Sequence, residues 1–370
     1  MRHNLITACL LLPSTALGQA TSTLPHTTTP EPQAVYRQHQ NLMVVRDNAG
    51  VLRRVRSQRD WQIRRRHVLD GLQQVMGKLP DRSSRVSLDV RTTETVRLGV
   101  ITRRKLTFRS DRTGRVAAYL FLPAKTPVTG RHPAVLCLQQ TNRVGKLEAA
   151  GLSGNPGLAH AVHLARRGYV TLAADYPGFG ESTYDFAARH GYASGTMKAI
   201  WDNIRAVDLL TSLDEVDPDR IGVIGHSLGG HNAMFTAAFE PRLRVIISNC
   251  GFTRFHKDDV PSWTGPRYMP RIRTRFRNNA DRLPFDFPEI IGTFAPRPFL
   301  AIAAQGDRDF DYTGVLDSID AARPVYGLYA ARDRLQAAYP DIGHSFPAAS
   351  RDLADRFLDR HLDHSPTPER

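Results

Sequence analysis

Cysteine, long apolar runs and acidic residues are all scarce in this chain of 370 residues. No segment after the N-terminal leader approaches the ~20 consecutive apolar residues that a membrane-crossing helix needs, so membrane insertion is not expected. The 3 cysteines show no zinc-type pairing, and no glycine-rich dinucleotide loop is present. Neither a metal nor an organic cofactor is therefore expected. Acidic residues number 36 against 50 Lys and Arg, a formal charge of +14. That excess does not point to nucleic acid, because zinc-finger spacing, RNA-binding aromatic signatures and helix-turn-helix patterns are missing. Apart from a local cluster at Arg267, Arg271, Arg273, Arg275 and Arg277 the charge is dispersed. It reads either as a solvated basic surface or as a field that steers an acidic substrate or polyanionic matrix. Hydrophobic content of 41% and charged content of 23% are those of an ordinary soluble globular protein.

What is there begins with an export signal. Arg2, the apolar stretch Leu5 to Leu12 and the small-residue site Ala16-Leu17-Gly18 predict a signal peptide over 1–18, hence a periplasmic or secreted protein. Residues 19–56 read as linker and N-terminal extension, flexible and rich in Thr and Pro from Thr21 to Pro32. From Ser57 to Leu79 the residues Trp61, Ile63, Val68, Leu69, Leu72, Val75 and Met76 share one helical face before Pro80. β-rich runs at Val96 to Val100, Lys105 to Phe108 and Val116 to Leu122 predict opening antiparallel strands.

The pattern then changes to alternating buried strands and helices, the signature of a mostly parallel sheet covered on both faces. Strands are expected at Ala134–Leu138, Val170–Ala174, Ile221–Ile224, Val245–Ser248, Phe299–Ala303 and Leu335–Ala338, and helices at Leu158–Arg167, Met197–Leu213 and Ala348–Leu362. Cys137 and Cys250 then end strands one strand apart, ~10 Å at ~4.8 Å per strand, which is beyond disulfide reach. Two buried free thiols are expected. The irregular stretch 251–294 reads as a lid insertion.

The most informative motif is Gly225-His226-Ser227-Leu228-Gly229-Gly230, between the apolar run Arg220 to Ile224 and the helix-compatible segment His231 to Phe239. It has the form of a nucleophile elbow, in which Ser227 occupies a strained strand-to-helix turn and Gly225 and Gly229 let the backbone close. A serine hydroxyl needs a base within reach and an acid to orient that base. In chain order the acid should follow the next-to-last strand, where Asp307, Asp309 and Asp311 compete and Asp307, first beyond the strand end, leads with Asp309 next. The base should follow the last strand, where His344 is the one histidine in the segment Pro340 to Pro347. The oxyanion donors should be the backbone N–H of Leu228 and that of Thr141 or Gln140, in the loop after Leu138.

These residues, together with Ala173 to Ser182, Ala295-Pro296-Arg297-Pro298 and Gly343-His344, resemble the α/β-hydrolases, and within them the bacterial dienelactone hydrolase-like and acetyl xylan esterase-like branch. The likeness runs from about Trp61 to Leu362. It implies an α/β-hydrolase fold over 57–365 with an N-terminal helical extension and a short lid, and a triad of Ser227, Asp307 and His344. One departure is Gln139-Gln140, where relatives commonly have His-Gly, so no glycine able to take positive φ stands in the oxyanion loop. The expected activity is hydrolysis of a carboxylic ester through an acyl-enzyme, on a small-molecule or carbohydrate ester such as an acetyl ester. Alternatives are a prolyl oligopeptidase-like serine peptidase, for which the region before Arg85 is too short to hold a propeller, and a non-catalytic binder with the same fold. The lid residues Trp263, Tyr268, Met269 and Phe276 read equally as pocket wall or as lid core. Nothing in the sequence sets an oligomeric state.

Overall fold

Runs of Val, Ile, Leu and Ala that bury both faces of a strand build the centre of the molecule. The computed structural model describes residues 36–366 except 48, 126–129 and 189; the expected signal peptide and the Thr- and Pro-rich stretch from Thr21 to Pro32 lie outside the described residues. In chain order the elements are β1 (Val44–Arg46), β2 (Leu52–Arg54), α1 (Gln58–Met76), β3 (Arg91–Leu98), β4 (Ile101–Arg109), β5 (Arg115–Pro123), β6 (His132–Leu138), α2 (Lys146–Ala149), α3 (His160–Arg166), β7 (Val170–Ala174), α4 (Gly195–Thr211) and β8 (Val216–His226). They continue as α5 (Leu228–Phe239), β9 (Leu243–Asn249), α6 (Arg271–Thr274), α7 (Phe287–Gly292), β10 (Phe299–Ile302), α8 (Tyr312–Leu328), β11 (Leu335–Ala338) and α9 (Ala348–His361).

Nine strands form one sheet in the order β11-β10-β9-β8-β6-β7-β5-β4-β3. The strands from β6 onward pair in parallel, and β3, β4 and β5 close one side antiparallel. All six expected core strands and the three opening runs are present. Alternate side chains of each strand feed two separate cores. Leu136, Leu172, Ile246 and Ala301 face one side, with residues of α1, α4, α5 and α8. Val135, Ala173, Ile247 and Leu300 face the other, with residues of α3 and α9. This is the α/β-hydrolase fold, as the sequence implied. No described helix is long and apolar enough to cross a membrane.

The sequence pattern did not announce the hairpin β1–β2, the short helices α2, α6 and α7, or the long helix α8. The hairpin β1–β2 precedes α1, and Tyr36, Leu42, Val45 and Val55 around it are buried. Helix α8 carries Pro324 inside it, a residue that removes one helical hydrogen bond and so conceals the helix in a sequence pattern. Cys137 and Cys250 are free and buried, with β8 lying between their strands.

Parallel register aligns the C-terminal ends of the central strands. Leu138 pairs with Gly225, His226 with Asn249, and Asn249 with Ile302. The strand order turns back on itself between β6 and β8, and loops leaving neighbouring strand ends at such a point diverge to leave a crevice.

Candidate active site

Ser227 stands where β8 becomes α5, with φ 53° and ψ −120°, a conformation that costs a non-glycine residue roughly 1–3 kcal/mol. The turn is held by hydrogen bonds from Ser227 N–H to Asn249 O (3.0 Å) and from Gly230 N–H to Ser227 O (2.8 Å). Both elbow glycines are required by contact rather than by dihedral angle. A Cβ on Gly225 would lie 2.2 Å from the carbonyl carbon of Gly229, and one on Gly229 would lie 2.2 Å from Leu138 O. The second contact shows how closely α5 abuts the end of β6, which sets the loop after Leu138 beside the helix N-terminus. The Ala295-Pro296-Arg297-Pro298 segment secures the far end of α5. Arg297 donates to Ala237 O (2.6 Å) and Glu240 O (3.1 Å), carbonyls that the C-terminus of α5 leaves open, and to Leu243 O (2.8 Å) at the start of β9.

Asp307 and His344 come together from the loops after β10 and β11, with His344 Nδ1 2.8 Å from Asp307 Oδ2. Oδ1 of Asp307 accepts the N–H groups of Asp309 (2.9 Å) and Phe310 (3.2 Å). Burial alone would raise the Asp307 pKa, but the bonds from His344 and from these two N–H groups outweigh it and hold the carboxyl below its ordinary value. Asp309, the other candidate acid, is 69% exposed and lies 3.9 Å from the opposite nitrogen, Nε2, outside hydrogen-bond range. With Nδ1–H donated to Asp307, the lone pair of His344 sits on Nε2. The imidazole lies 4.6 Å from the ring of His226, the residue next to Ser227, which places it over the elbow. His226 is itself pushed down to about pKa 3, chiefly by burial and then by the charge of His344, so it stays neutral and accepts no catalytic proton.

The start of the loop after β6 takes its shape without a left-handed residue, since none of Gln139, Gln140 or Thr141 has positive φ, and the positive-φ glycine comes only at its end, Gly145. Buried Glu148 braces it instead. Its carboxylate accepts Gln140 Nε2 (3.1 Å), Asn142 Nδ2 (2.7 Å) and Asn155 N–H (3.0 Å), while Asn142 Oδ1 accepts Gly145 N–H (2.6 Å). The Gln140 side chain is thereby turned onto Glu148, whereas Thr141 lines the same cavity as Ser227 and Leu228 and meets Tyr268 Oη through its hydroxyl at 3.1 Å.

That cavity holds about 600 Å³. Trp263 and Tyr268 line it, whereas Met269 and Phe276 are wholly buried in the core. None of the five clustered arginines lines it. Its charged wall is mainly acidic: Asp258, Asp259, Asp307, Asp309 and Asp311 stand against Lys257 and Arg308, and Lys257 is paired with Asp317 at 3.0 Å. Asp258 accepts Trp263 Nε1–H at 2.9 Å, and burial pushes its pKa up to about 6. Asp307, Asp309 and Asp311 of this wall stand out in the sequence as competing acids, whereas Asp258 and Asp259 belong to no motif and are recognisable only by their neighbourhood to Trp263.

Beside the Asp307–His344 pair lies Cys250, whose ligand atom and those of Asp307 and His344 all fall within 4.8 Å of one another. Cys250 follows β9 with φ 45°, its N–H bonded to Ile302 O at 2.8 Å. Its thiol was expected only to be buried.

Residues 158–364 match the prolyl oligopeptidase family, a span that includes Ser227, Asp307 and His344. The protein "Putative hydrolase YtaP" of Bacillus subtilis (strain 168) is 30% identical over 272 residues, 67% of this chain and 84% of that protein. A 4-O-methyl-glucuronoyl methylesterase of Sodiomyces alcalophilus is 27% identical over 164 residues, 39% of this chain but only 33% of that enzyme. Among solved structures, a glucuronoyl esterase from Solibacter usitatus superposes with a TM-score of 0.69 at 18% identity, covering 87% of this chain and 97% of that one, a likeness of fold. An elbow serine on a switch-point sheet and a family match over more than half of the length agree: the chain belongs to the prolyl oligopeptidase family of the α/β-hydrolase superfamily.

Proposed function

We propose that this protein is an exported serine hydrolase that cleaves carboxylic esters of carbohydrates through an acyl-enzyme. The observation that carries the chemistry is the 2.8 Å bond between Asp307 and His344 Nδ1, beside a serine held at φ 53° on the elbow. In this reading His344 Nε2 takes the Ser227 proton as the hydroxyl oxygen attacks the ester carbonyl. The N–H groups of Leu228 and Thr141 receive the developing oxyanion, the first lying at the start of α5, where it has no intrahelical acceptor and sits at the positive end of the helix. The imidazolium then gives its proton to the leaving alcohol. Water, activated by the same nitrogen, hydrolyses the acyl-enzyme.

The ester part of the proposal draws on relatives named as a glucuronoyl methylesterase, a carbohydrate esterase and an acetyl esterase, and the carbohydrate part on the first two of these. The cavity fits them, because the partly exposed ring of Tyr268 suits the apolar side of a sugar ring while Asp258, Ser262 and Gln305 can take hydroxyl groups. The family match favours a second reading, cleavage of a proline-containing peptide. A fluorophosphonate probe should label the wild type and not Ser227→Ala, and turnover should fall by on the order of 10⁴ to 10⁶ in that variant. Asp307→Asn should cost roughly 10⁴ in kcat. Assaying acetylated xylan, a glucuronoyl methyl ester and a proline-containing peptide side by side decides the substrate, and cleavage of the peptide alone would overturn the ester assignment. A folded wild type that the probe does not label would favour a binding protein instead.

A further inference from the structure

We propose that Cys250, Asp307 and His344 form a site for a thiophilic divalent cation, zinc or cadmium, whose binding switches the hydrolase off. The regulatory half of this rests on the serine hydrolase reading above; the metal site does not. A thiol, a carboxylate and an imidazole are a donor set suited to such ions, and their ligand atoms already lie within 4.8 Å of one another. With metal–sulfur bonds of ~2.3 Å and metal–nitrogen bonds of ~2.0 Å, the ligands of a tetrahedral site stand roughly 3.3–3.7 Å apart, so Cys250 needs to close by at most about 1 Å while the Asp307–His344 pair, now 2.8 Å apart, opens by roughly half an ångström. Water or a substrate group can supply the fourth position from the cavity, which Asp307 lines.

The frame around the site is rigid. The backbone of Cys250 is tied to β10 through Ile302 O at 2.8 Å, and Oδ1 of Asp307 is fixed by two N–H groups, which leaves Oδ2 as the ligand. The nitrogen of His344 that faces Asp307 is Nδ1. When the cation binds, the thiol proton of Cys250 leaves to solvent as the metal–sulfur bond forms. The proton of the neutral imidazole moves, through solvent, from Nδ1 to Nε2 as the metal takes Nδ1. Nε2 then carries a proton instead of the lone pair that activates Ser227, and Asp307 is drawn from orienting the base to holding the ion. Inhibition therefore needs no blockage of the cavity.

Two readouts test this on the full chain. Titration of the wild type with cadmium should produce the ultraviolet charge-transfer band of a cadmium thiolate, and Cys250→Ser should abolish it, with Cys137 left in place as an internal control. Zinc should inhibit ester hydrolysis by the wild type reversibly, with activity restored by a chelator. The inhibition constant should weaken by roughly 10–100-fold in Cys250→Ser, with Cys250→Ala as the second variant should serine not fold. A wild type without the cadmium band overturns the site. Unchanged zinc inhibition in the cysteine variants also overturns it, as does relief in Asp309→Asn alone, which would put the ion on the outer face of His344. If no ester is hydrolysed, the cadmium band still decides the metal site separately from the function.

Discussion

Replacing Asp258 by Asn should make the protein's stability less sensitive to pH between about 4 and 6. Asp258 lies in the cavity wall with one oxygen on Trp263 Nε1, and burial is the main reason its pKa rises from 3.8 to about 6. Because the folded state holds this proton more tightly than the unfolded chain, the unfolded chain binds fewer protons between those two values, and stability falls as pH rises through the window. The gap is roughly two pH units at ~1.4 kcal/mol each, so the ionised carboxylate costs at most about 3 kcal/mol at neutral pH. Asn keeps an oxygen to accept the Trp263 N–H but never ionises. Urea midpoints of both proteins at pH 4.5 and 7.5 provide the check. The wild type should lose about 2 kcal/mol more than Asp258→Asn between these two pH values, the first ~1 kcal/mol of the total being lost already below pH 4.5, and the variant should be the more stable at pH 7.5. Parallel profiles for the two proteins would refute the argument, since every other titrating group is common to both.

Two further perturbations test the frame. Gly225→Ala should cost about 3 kcal/mol or more and slow fluorophosphonate labelling sharply, because the added methyl meets the Gly229 backbone at 2.2 Å; a stable, normally labelled variant would show that the elbow can open. Glu289→Ala should lower the urea-derived stability by about 3–5 kcal/mol, because it strands the wholly buried guanidinium of Arg64 and also removes the 2.7 Å partner of His39, whereas Glu289→Leu combined with Arg64→Met should cost much less.

Much of the site could be read from residue order alone. Ile221–Ile224 ahead of Ser227 and Phe299–Ile302 ahead of Asp307 are apolar runs, and Leu335–Ala338 ahead of His344 is apolar apart from Gln336; strands of a parallel sheet end at a common edge, so residues 80 and 37 positions apart meet there. Asp307 leads Asp309 by the same logic, being first past the strand end, and the geometry separates them by which imidazole nitrogen each faces. What escaped depends on contacts between distant segments. Helix α8 was hidden by Pro324 and by Gly314, where any Cβ would lie 2.0 Å from the hydroxyl of Thr253, a neighbour that no local pattern announces. The Arg64–Glu289–His39 group joins three segments whose charged residues look like solvated surface in sequence. Cys250 reads as one more buried thiol until the fold brings residues 307 and 344 beside it.

The sign of the cavity wall has a consequence for turnover. Hydrolysing a neutral ester leaves an anion behind, and here that anion is formed among Asp258, Asp259, Asp309 and Asp311 on a molecule whose formal charge elsewhere is strongly positive. Like charge at close range pushes the newly made acid outward, and the basic exterior draws it on. The pocket is thus better suited to admitting uncharged molecules than to keeping what it makes, so accumulated acid should be a weak inhibitor.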